Sequence, residues 1–342
     1  MRGKGGRFRG RDGEGRRVHF CPSAAFPLTK LGIGGKIIAL KVSSVNQKKE
    51  KGVVEVAGYV IMTDSSCDLP PAMATQLRLQ VMPLGFSIGG QRYRSYLDGR
   101  EMTAQTFYSL LRQGQKASTF APSREVIRGY LEPILKNGED ILLLSFSSAL
   151  STTYQNCLAA ASQMAEEYPQ RSIRCVDTRC ASLGQGLLVY LAAQQRNNGM
   201  DLDQLTNYVQ ATSQKICHWF TLDSSATLQN GGRASGLNLS VGPHLHAKPI
   251  LRVDEYGCLV GSEKVRGRKA AIAALADKAA SLATGQTIFI SHSDCEADAQ
   301  KLAELVRGRL RPRQVVVSTI DPVIGSHVGP GCVALFFAGE RR

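Results

Sequence analysis

The sequence predicts an α/β protein of two domains, an N-terminal doubly wound parallel sheet followed by a C-terminal α+β sandwich. From Gly58 onward, apolar runs of strand length alternate with helix-length segments, which is the pattern of a parallel sheet covered by helices. The run over 141–144 is continuously apolar and therefore typical of a strand that is buried on both faces. After about residue 220 this alternation gives way to a predicted antiparallel strand pair. We therefore divide the chain into 1–57, a basic extension expected to be disordered, an α/β domain over 58–220 and an α+β domain over 221–342.

The first domain begins with a strand over 59–62, which ends at a cluster of hydroxyls in 63–66. Pro70 and Pro71 then open a helix that runs through Leu79, because proline is favoured in the first turn of a helix. The later elements are, in order, a strand over 81–87, a tight turn at Gly89 and Gly90, a helix over 103–112 capped by Thr103, a helix from Ser123 to about 135, a strand over 141–146, a helix from about 151 to 167, a strand over 173–176 and an apolar helix from about 187 to 196.

The second domain opens with antiparallel strands over 248–253 and 258–264, which turn at Glu255, Tyr256 and Gly257. The remaining elements are, in order, a helix over 267–283, a strand over 287–291, a helix over 295–310, a strand over 314–319 and a final strand over 331–337. Strands and helices in this arrangement indicate an α+β domain.

A cluster of hydroxyls follows the apolar strand over 141–146, at the point where the next helix begins. Ser147, Ser148 and Ser151 stand there with no charged residue among them. Free backbone N–H groups, hydroxyl donors and the positive end of a helix dipole suit a phosphate or a carboxylate. Serine is also a preferred helix N-cap, so a plain cap is the alternative interpretation.

Similar hydroxyl clusters follow other predicted strands, at 63–66, 118–123 and Ser182. The carboxyl ends of parallel strands meet at one edge of a sheet, where open α/β sheets bind their ligands. We therefore expect one crevice with hydroxyls at its mouth and apolar side chains beneath. Such a crevice suits a ligand with an anionic head and an apolar tail.

The charge of the chain is concentrated at its N-terminus. Of the formal net charge of +14, residues 1–51 contribute 13 basic against 3 acidic residues, and the rest of the chain carries 29 against 25. The predicted domains are thus nearly balanced, which argues against a nucleic-acid-binding role. The basic stretch does not resemble a signal peptide, and no segment reaches the ~18 consecutive apolar residues of a membrane span.

The cysteines and acidic residues do not predict a metal site. The nine cysteines include no C-x-x-C pair, which favours reduced cytosolic thiols used as small core residues. Asp64 and Asp68 lie four residues apart after a strand, but we interpret Asp64 as a turn former and Asp68 as a helix N-cap. The sequence also lacks a dinucleotide fingerprint, a P-loop and a nucleophile elbow, so it predicts a binding protein more than an enzyme.

Eight short motifs, in this order along the chain, resemble those of the DegV family of fatty-acid-binding proteins. They are Thr63 to Leu69, Thr119 to Ser123, Ser147 to Gln155, Asp177 with Ser182 to Gly186, Gly231 to Arg233, Lys248 to Leu251, Lys264 to Lys269 and His327 to Gly331. The resemblance covers about residues 58 to 340.

The resemblance implies a tunnel between the two domains that encloses one long-chain fatty acid, with the first domain holding the lipid head group. By their match to the family's motifs, Thr119, Ser147, Ser148 and Ser151 are expected to bind the carboxylate. No metal and no cofactor beyond the bound fatty acid is implied.

The family resemblance also implies a partner. Such proteins look like cytoplasmic acyl carriers that present the carboxylate to an ATP-dependent bacterial fatty acid kinase, which forms acyl phosphate. Arg233, Arg266 and His327 match positions linked to that transfer step. A guanidinium suits phosphate oxygens, and a histidine can move a proton near neutral pH. A membrane is then expected to be only a transient partner.

The motifs depart from the family pattern at three positions. Phe120 and Ala121 replace a Ser-Gln pair, and the added bulk of Phe120 is expected to narrow the head pocket. Thr152 replaces a glycine after Ser151, so this turn cannot depend on the freedom of glycine at positive φ.

Two other classes of function stay open from the sequence. Arg233, Arg266 and His327 also fit an enzyme that acts on a bound lipid or a phosphorylated metabolite. The basic residues of 1–51 fit a protein that associates with RNA or a membrane surface.

Overall fold

The structure is a computed structural model that describes residues 58–224, 228 and 247–342. The predicted N-terminal extension, 1–57, and Arg233 lie outside these residues. In chain order the strands are β1 (Tyr59–Asp64), β2 (Gln80–Met82), β3 (Leu84–Ile88), β4 (Gln91–Ser95), β5 (Ala117–Phe120), β6 (Asp140–Ser145), β7 (Ile173–Asp177), β8 (Ile216–Thr221), β9 (Ala247–Val253), β10 (Leu259–Arg266), β11 (Ala283–His292), β12 (Gln314–Thr319) and β13 (Val333–Gly339). The α-helices are α1 (Pro71–Gln76), α2 (Ala104–Arg112), α3 (Arg124–Lys136), α4 (Thr153–Glu167), α5 (Leu183–Asn197), α6 (Leu202–Ser213), α7 (Arg268–Leu282), α8 (Glu296–Leu310) and α9 (Pro322–Val328).

The N-terminal half is built on a parallel sheet of four strands in the order β2-β1-β6-β7. Successive side chains of β6 point to opposite faces of this sheet. Leu142 and Leu144 pack in the apolar cluster that contains Leu187 of α5, whereas Leu143 packs in the cluster that contains Leu131 of α3. Helices therefore cover both faces, and the predicted doubly wound parallel sheet is confirmed.

A small antiparallel sheet, in the order β4-β3-β5, lies beside the parallel sheet. The strand predicted over 81–87 is in fact two strands, because Pro83 separates β2 from β3 and has no backbone N–H for a ladder. The chain then turns as predicted at Gly89 and Gly90, which have φ of 60° and 79°. Positive φ at both central residues is what a tight hairpin turn of type I′ requires.

Phe120 does not narrow the head pocket, contrary to the sequence expectation. Thr119 and Phe120 are consecutive on β5, so their side chains point to opposite faces of the small sheet. The ring of Phe120 covers Gly85, where a side chain would overlap it, and the Arg92 guanidinium lies 5.1 Å from the ring centroid. Phe120 thus completes the outer face of the sheet, where it is 39% exposed.

The C-terminal half is built on a six-stranded sheet in the order β10-β9-β8-β13-β11-β12. The β11–β12 pair is parallel and the other pairs are antiparallel. Leu275 of α7 and Val306 of α8 pack on one face of the sheet with Phe337 of β13, which confirms the predicted α+β arrangement. On the other face, Phe336 belongs to the same apolar cluster as Leu187 of α5.

The end of the first domain was predicted at residue 220, within β8. All six residues of β8 are buried, and the strand pairs with β9 and β13 in the six-stranded sheet. The division at 220 stays a prediction. Among the residues that the structure describes, no helix is both long and apolar enough to cross a membrane.

Candidate functional site

A cavity with an empty volume of about 820 Å³, part of it open to solvent, lies among residues of both halves of the chain. Its wall is mostly apolar. The residues that line it are Leu84, Thr119, Phe146, Leu150, Ser151, Ala181, Ser182, His218, Phe220, Leu228, Val253, Leu259, Ile320, Val323, Ile324, His327, Val328, Cys332, Ala334 and Phe336. The few polar side chains in this wall are therefore the groups that can orient a ligand.

Thr119 and His327 form a direct polar pair in the cavity wall, although they are 208 residues apart in the chain. Thr119 Oγ1 lies 2.9 Å from His327 Nε2, and both side chains are partly buried. Thr119 reaches the cavity because its side chain lies on the inner face of the small sheet. The side chain of Phe86, its pairing partner on β3, lies on the same face. His327 is in the last turn of α9, whose first turn is capped by Asp321. The structure thus brings together two residues that were predicted separately.

Ser151 lines the cavity and also serves the start of α4. Its Oγ accepts a hydrogen bond from the backbone N–H of Thr153 at 3.2 Å and lies 2.9 Å from Thr153 Oγ1. The N-cap of α4 is Thr152, which makes no side-chain capping hydrogen bond, so Ser151 supports the start of the helix from the residue before the cap and also lies in the cavity wall. Thr152 has φ of −78°, so its place in the family motif does not require glycine here.

Ser147 and Ser148 do not line the cavity. Ser147 Oγ donates to the carbonyl of Gly257 at 3.0 Å. Ser148 donates both its backbone N–H, at 3.1 Å, and its hydroxyl, at 2.5 Å, to the carboxylate of Asp177. These hydroxyls fix the turn that carries Ser151, and the predicted group of four hydroxyls is not one cluster around a single point.

Arg266, the second predicted arginine, lies apart from the cavity wall. It is exposed at the end of β10, where it pairs with Ala247 of β9.

Ser182 was predicted as a hydroxyl at the mouth of the crevice, and it lines the cavity, although it was not among the residues expected to bind the carboxylate. It precedes α5 with φ of 54° and ψ of −147°, a backbone conformation that residues other than glycine rarely adopt. Its hydroxyl donates to Asp68 and lies 2.9 Å from Ser291 Oγ. The sequence had placed Ser182 after a strand, but not its contacts.

His218 is a second polar residue of the cavity wall that was not among the predicted site residues. It is 1% exposed, and its only signal was a lone histidine in the apolar run of β8. Its Nδ1–H donates to the carbonyl of Ile216 at 2.9 Å, and its Nε2 accepts the N–H of Ala181 at 3.2 Å. These two bonds require the neutral imidazole. Burial, with a smaller contribution from the charge of Arg342, holds the pKa of His218 well below its usual value.

Asp64 and Asp68 are both buried near the cavity, and the structure separates their roles. Asp64 is a turn former as predicted: its carboxylate accepts the N–H of Ser66 at 3.2 Å and that of Phe146 at 2.9 Å. Asp68 is not the predicted N-cap, because it closes the preceding 3₁₀ turn in a left-handed conformation with φ of 53°. Its side chain instead accepts the N–H of Asp321 at 2.9 Å. No group of acidic, histidine and cysteine side chains within the described ranges is arranged to hold a metal.

These features define a class, the α/β proteins that enclose an apolar cavity between a doubly wound parallel sheet and a second, mostly antiparallel sheet. The family model described as "Uncharacterised protein, DegV family" matches residues 59–340, and the chain belongs to that family. The resemblance that the sequence motifs predicted is thereby confirmed.

Three relatives illustrate the range of similarity. A DegV domain-containing protein of Clostridium perfringens is 40% identical over 287 residues, which cover 83% of this chain and 98% of that protein. A solved structure of a fatty-acid-binding DegV family protein from Thermus thermophilus is 27% identical to this chain. It has a TM-score of 0.72, and the match covers 82% of this chain and 99% of that one. A Ruminococcus gnavus member solved with vaccenic acid has a TM-score of 0.74 at 22% identity, over 82% and 99% of the two chains, and shows the shared fold.

Proposed function

We propose that this protein binds one long-chain fatty acid in the cavity, with the acyl chain against the apolar wall and the carboxylate at Thr119, Ser151 and His327. The observation that carries this proposal is the contrast between the mostly apolar wall and the Thr119–His327 pair within it. Each methylene that leaves water for an apolar wall contributes about 0.8 kcal/mol, so the chain supplies affinity and the polar groups supply orientation.

The Thr119–His327 hydrogen bond prepares a donor for the carboxylate. When Nε2 carries the ring proton and donates it to Thr119 Oγ1, the threonine hydroxyl hydrogen is left to donate to the ligand. Ser151 is arranged in the same way, because its oxygen already receives the N–H of Thr153. Hydrogen bonds to a charged acceptor contribute about 1.5 to 3 kcal/mol each.

The relatives support the ligand class. The Thermus thermophilus protein is described as binding fatty acid and matches nearly its whole length to this chain at 27% identity. Ser147 and Ser148, which we predicted at the carboxylate, act in this proposal as supports of the turn that carries Ser151.

We further propose that the protein is a cytoplasmic carrier without an active site of its own, which presents the bound carboxylate to a fatty acid kinase. In this scheme Arg233 and Arg266 contact the kinase and its nucleotide phosphates, and His327 orients the carboxylate. A carboxylate oxygen attacks the γ-phosphorus of ATP, the bond from that phosphorus to the β-phosphate oxygen breaks, and ADP leaves as acyl phosphate forms. The support is the match of these three residues to the family's motifs and the exposure of Arg266.

Native mass spectrometry of the purified protein tests the binding. The expected result is a co-purified or added fatty acid retained at one per chain, and a protein that is empty and refuses added vaccenic acid would contradict the proposal. The carrier role is tested with labelled vaccenic acid, ATP, a purified bacterial fatty acid kinase and hydroxylamine, which traps acyl phosphate as a hydroxamate. Hydroxamate that forms without the kinase would favour an enzyme instead.

A further inference from the structure

Arg342 has an unusual set of partners, because its guanidinium is spread over backbone carbonyls from four separate segments. Nε donates to Ile216 O at 3.1 Å, Nη1 donates to Arg179 O at 2.6 Å and Asp254 O at 3.1 Å, and Nη2 donates to Ser213 O at 2.6 Å, Thr178 O at 3.3 Å and Cys180 Sγ at 3.0 Å. Among the residues that the structure describes, no carboxylate lies within salt-bridge distance of this guanidinium. A planar fork with five N–H donors is the side chain that can hold several carbonyls at fixed angles, and lysine cannot replace it.

Three of the four segments that Arg342 joins carry or adjoin lining residues of the cavity. The turn over 178–180 leads directly to Ala181 and Ser182, and β8 carries His218 two residues after Ile216. The hairpin turn at Asp254 joins β9 and β10, which supply the lining residues Val253 and Leu259. Arg342 does not line the cavity itself, yet it donates to backbone carbonyls that are close in sequence to Ala181, His218 and Val253.

The hairpin turn has two further contacts with the N-terminal half. Ser147 Oγ donates to Gly257 O at 3.0 Å, and Arg179 Nη1 donates to Glu255 O at 3.1 Å. Loss of Arg342 would remove the hydrogen bond that the Asp254 carbonyl of the hairpin accepts and the hydrogen bond that the Arg179 carbonyl accepts. The guanidinium therefore holds the 178–180 turn, the 254–257 hairpin turn and β8 in a single arrangement.

We propose that Arg342 is a positioning residue for the ligand cavity, which fixes the 178–182 turn, β8 and the 254–257 hairpin in the arrangement that encloses the acyl chain. This inference rests on the proposed function for its ligand, and on the observed contacts for its geometry.

The first test compares the affinity for vaccenic acid, by isothermal titration calorimetry, of the full chain and of Arg342→Gln, Arg342→Lys and Arg341→Gln. We expect Arg342→Gln to lose about tenfold or more in affinity, because several charge-assisted hydrogen bonds disappear. Arg342→Lys keeps the charge but not the fork and is expected to lose affinity as well. Arg341 is the matched control, since its side chain is exposed and its backbone carbonyl, which accepts from Cys217 Sγ, is unchanged by the substitution.

The second test measures the pKa of the His218 ring by ¹⁵N NMR of the ligand-free protein, because the charge of Arg342 acts on that pKa. His218 is enclosed by Ile216, Ala181 and the Phe336 ring, whose centroid is 5.4 Å away, and Arg342 is the charged side chain that acts on it. Removal of the cation in Arg342→Gln should raise the pKa of His218, whereas Arg342→Lys should raise it less. A purely structural loss elsewhere would not reproduce this order.

Four outcomes decide whether the inference stands. Reduced affinity in both Arg342 variants together with the ordered His218 shifts supports the inference, and wild-type affinity in Arg342→Gln overturns it. If Arg342→Gln does not fold, Arg342→Lys carries the same test. If the unsubstituted protein itself refuses vaccenic acid, the proposed function fails, and the inference is then decided by His218 and by amide hydrogen exchange in 254–257, which must accelerate in Arg342→Gln.

Discussion

Thr119 and Ser148 show how two hydroxyl residues that were predicted to bind the same carboxylate acquire different roles. Thr119 lines the cavity and pairs with His327, whereas the hydroxyl of Ser148 is committed to Asp177 outside the cavity wall. Each was predicted at the carboxylate from its own family motif. The difference lies in side-chain direction, which the fold decides and the motif does not.

We predict that Thr119→Val weakens fatty acid binding about tenfold or more. Valine keeps the shape of threonine but removes the hydroxyl, so a carboxylate in the cavity loses one charge-assisted hydrogen bond of about 1.5 to 3 kcal/mol. Titration calorimetry with vaccenic acid measures the change. Thr75→Val, at an exposed position on α1, is the matched control with an expected affinity close to that of the unsubstituted protein, and the reverse order of the two variants would show that the head group is misplaced.

The turn of the β9–β10 hairpin depends on a glycine. Gly257 has φ of 84°, and a Cβ there would overlap Ser147 Oγ, which hydrogen-bonds to the Gly257 carbonyl. The turn can therefore approach the N-terminal half only because this position has no side chain.

We predict that Gly257→Ala destabilises the protein by more than Gly267→Ala. Both glycines have positive φ, of 84° and 86°, so both substitutions carry backbone strain of about 1 kcal/mol or more. At Gly267 nothing lies within 4 Å of the added Cβ, whereas at Gly257 Ser147 must also move. Urea unfolding of the two variants measures the difference, and equal losses would mean that the contact with Ser147 contributes nothing.

The sequence predicted the elements whose signals are local. Thr103 and Ser123 cap α2 and α3 as expected, and β12 matches its predicted range. The α6 helix was missed although Asp201 and Gln204 form a capping box, a signal that the residues did contain. By contrast, β5 has no apolar alternation, and its strand form follows from pairing with β3.

The site was predictable in its parts and not in its assembly. Thr119, Ser151 and His327 followed from motifs, because motif residues keep their types. His218 did not, and the motif that contains Ser182 did not predict its contacts, since both places in the wall depend on how α5 packs against β8. Local sequence does not specify that long-range packing.

At the scale of the whole molecule, a buried network of polar groups joins the two halves beside the cavity. Asp68, near the start of the chain's first sheet, accepts the N–H of Asp321, and Asp321 accepts the hydroxyl of Ser95 at 2.8 Å. Burial raises the pKa of Asp321 to about 6, and burial together with the charge of Asp321 raises the pKa of Asp68 well above its usual value.

We predict that this network makes stability fall as the pH rises from about 4 to 6. In this window the folded protein retains a proton that the unfolded chain, with an aspartate pKa of about 3.9, has already lost. His218 acts in the opposite sense, because its lowered pKa removes stability as the pH falls below about 6.5. Asp321→Asn should reduce the loss between pH 4 and 6 by about 1 to 3 kcal/mol.

Urea unfolding at a series of pH values tests this prediction. Asparagine can retain the cap to the N–H of Ile324, so the variant is expected to fold. Asp277→Asn, at an exposed position on α7, is the control. Parallel stability curves for Asp321→Asn and the unsubstituted protein would contradict the predicted role of the pair.

The hydrogen bond between Thr119 and His327 also has a consequence during synthesis. It closes a loop of 208 residues, so one partner leaves the ribosome long before the other exists. At roughly 5 to 20 residues per second, the interval is about 10 to 40 s, during which the parallel sheet can already fold. A nascent chain stalled before residue 322 should therefore retain no vaccenic acid. The protein would become able to hold a ligand only after α9 has been synthesised.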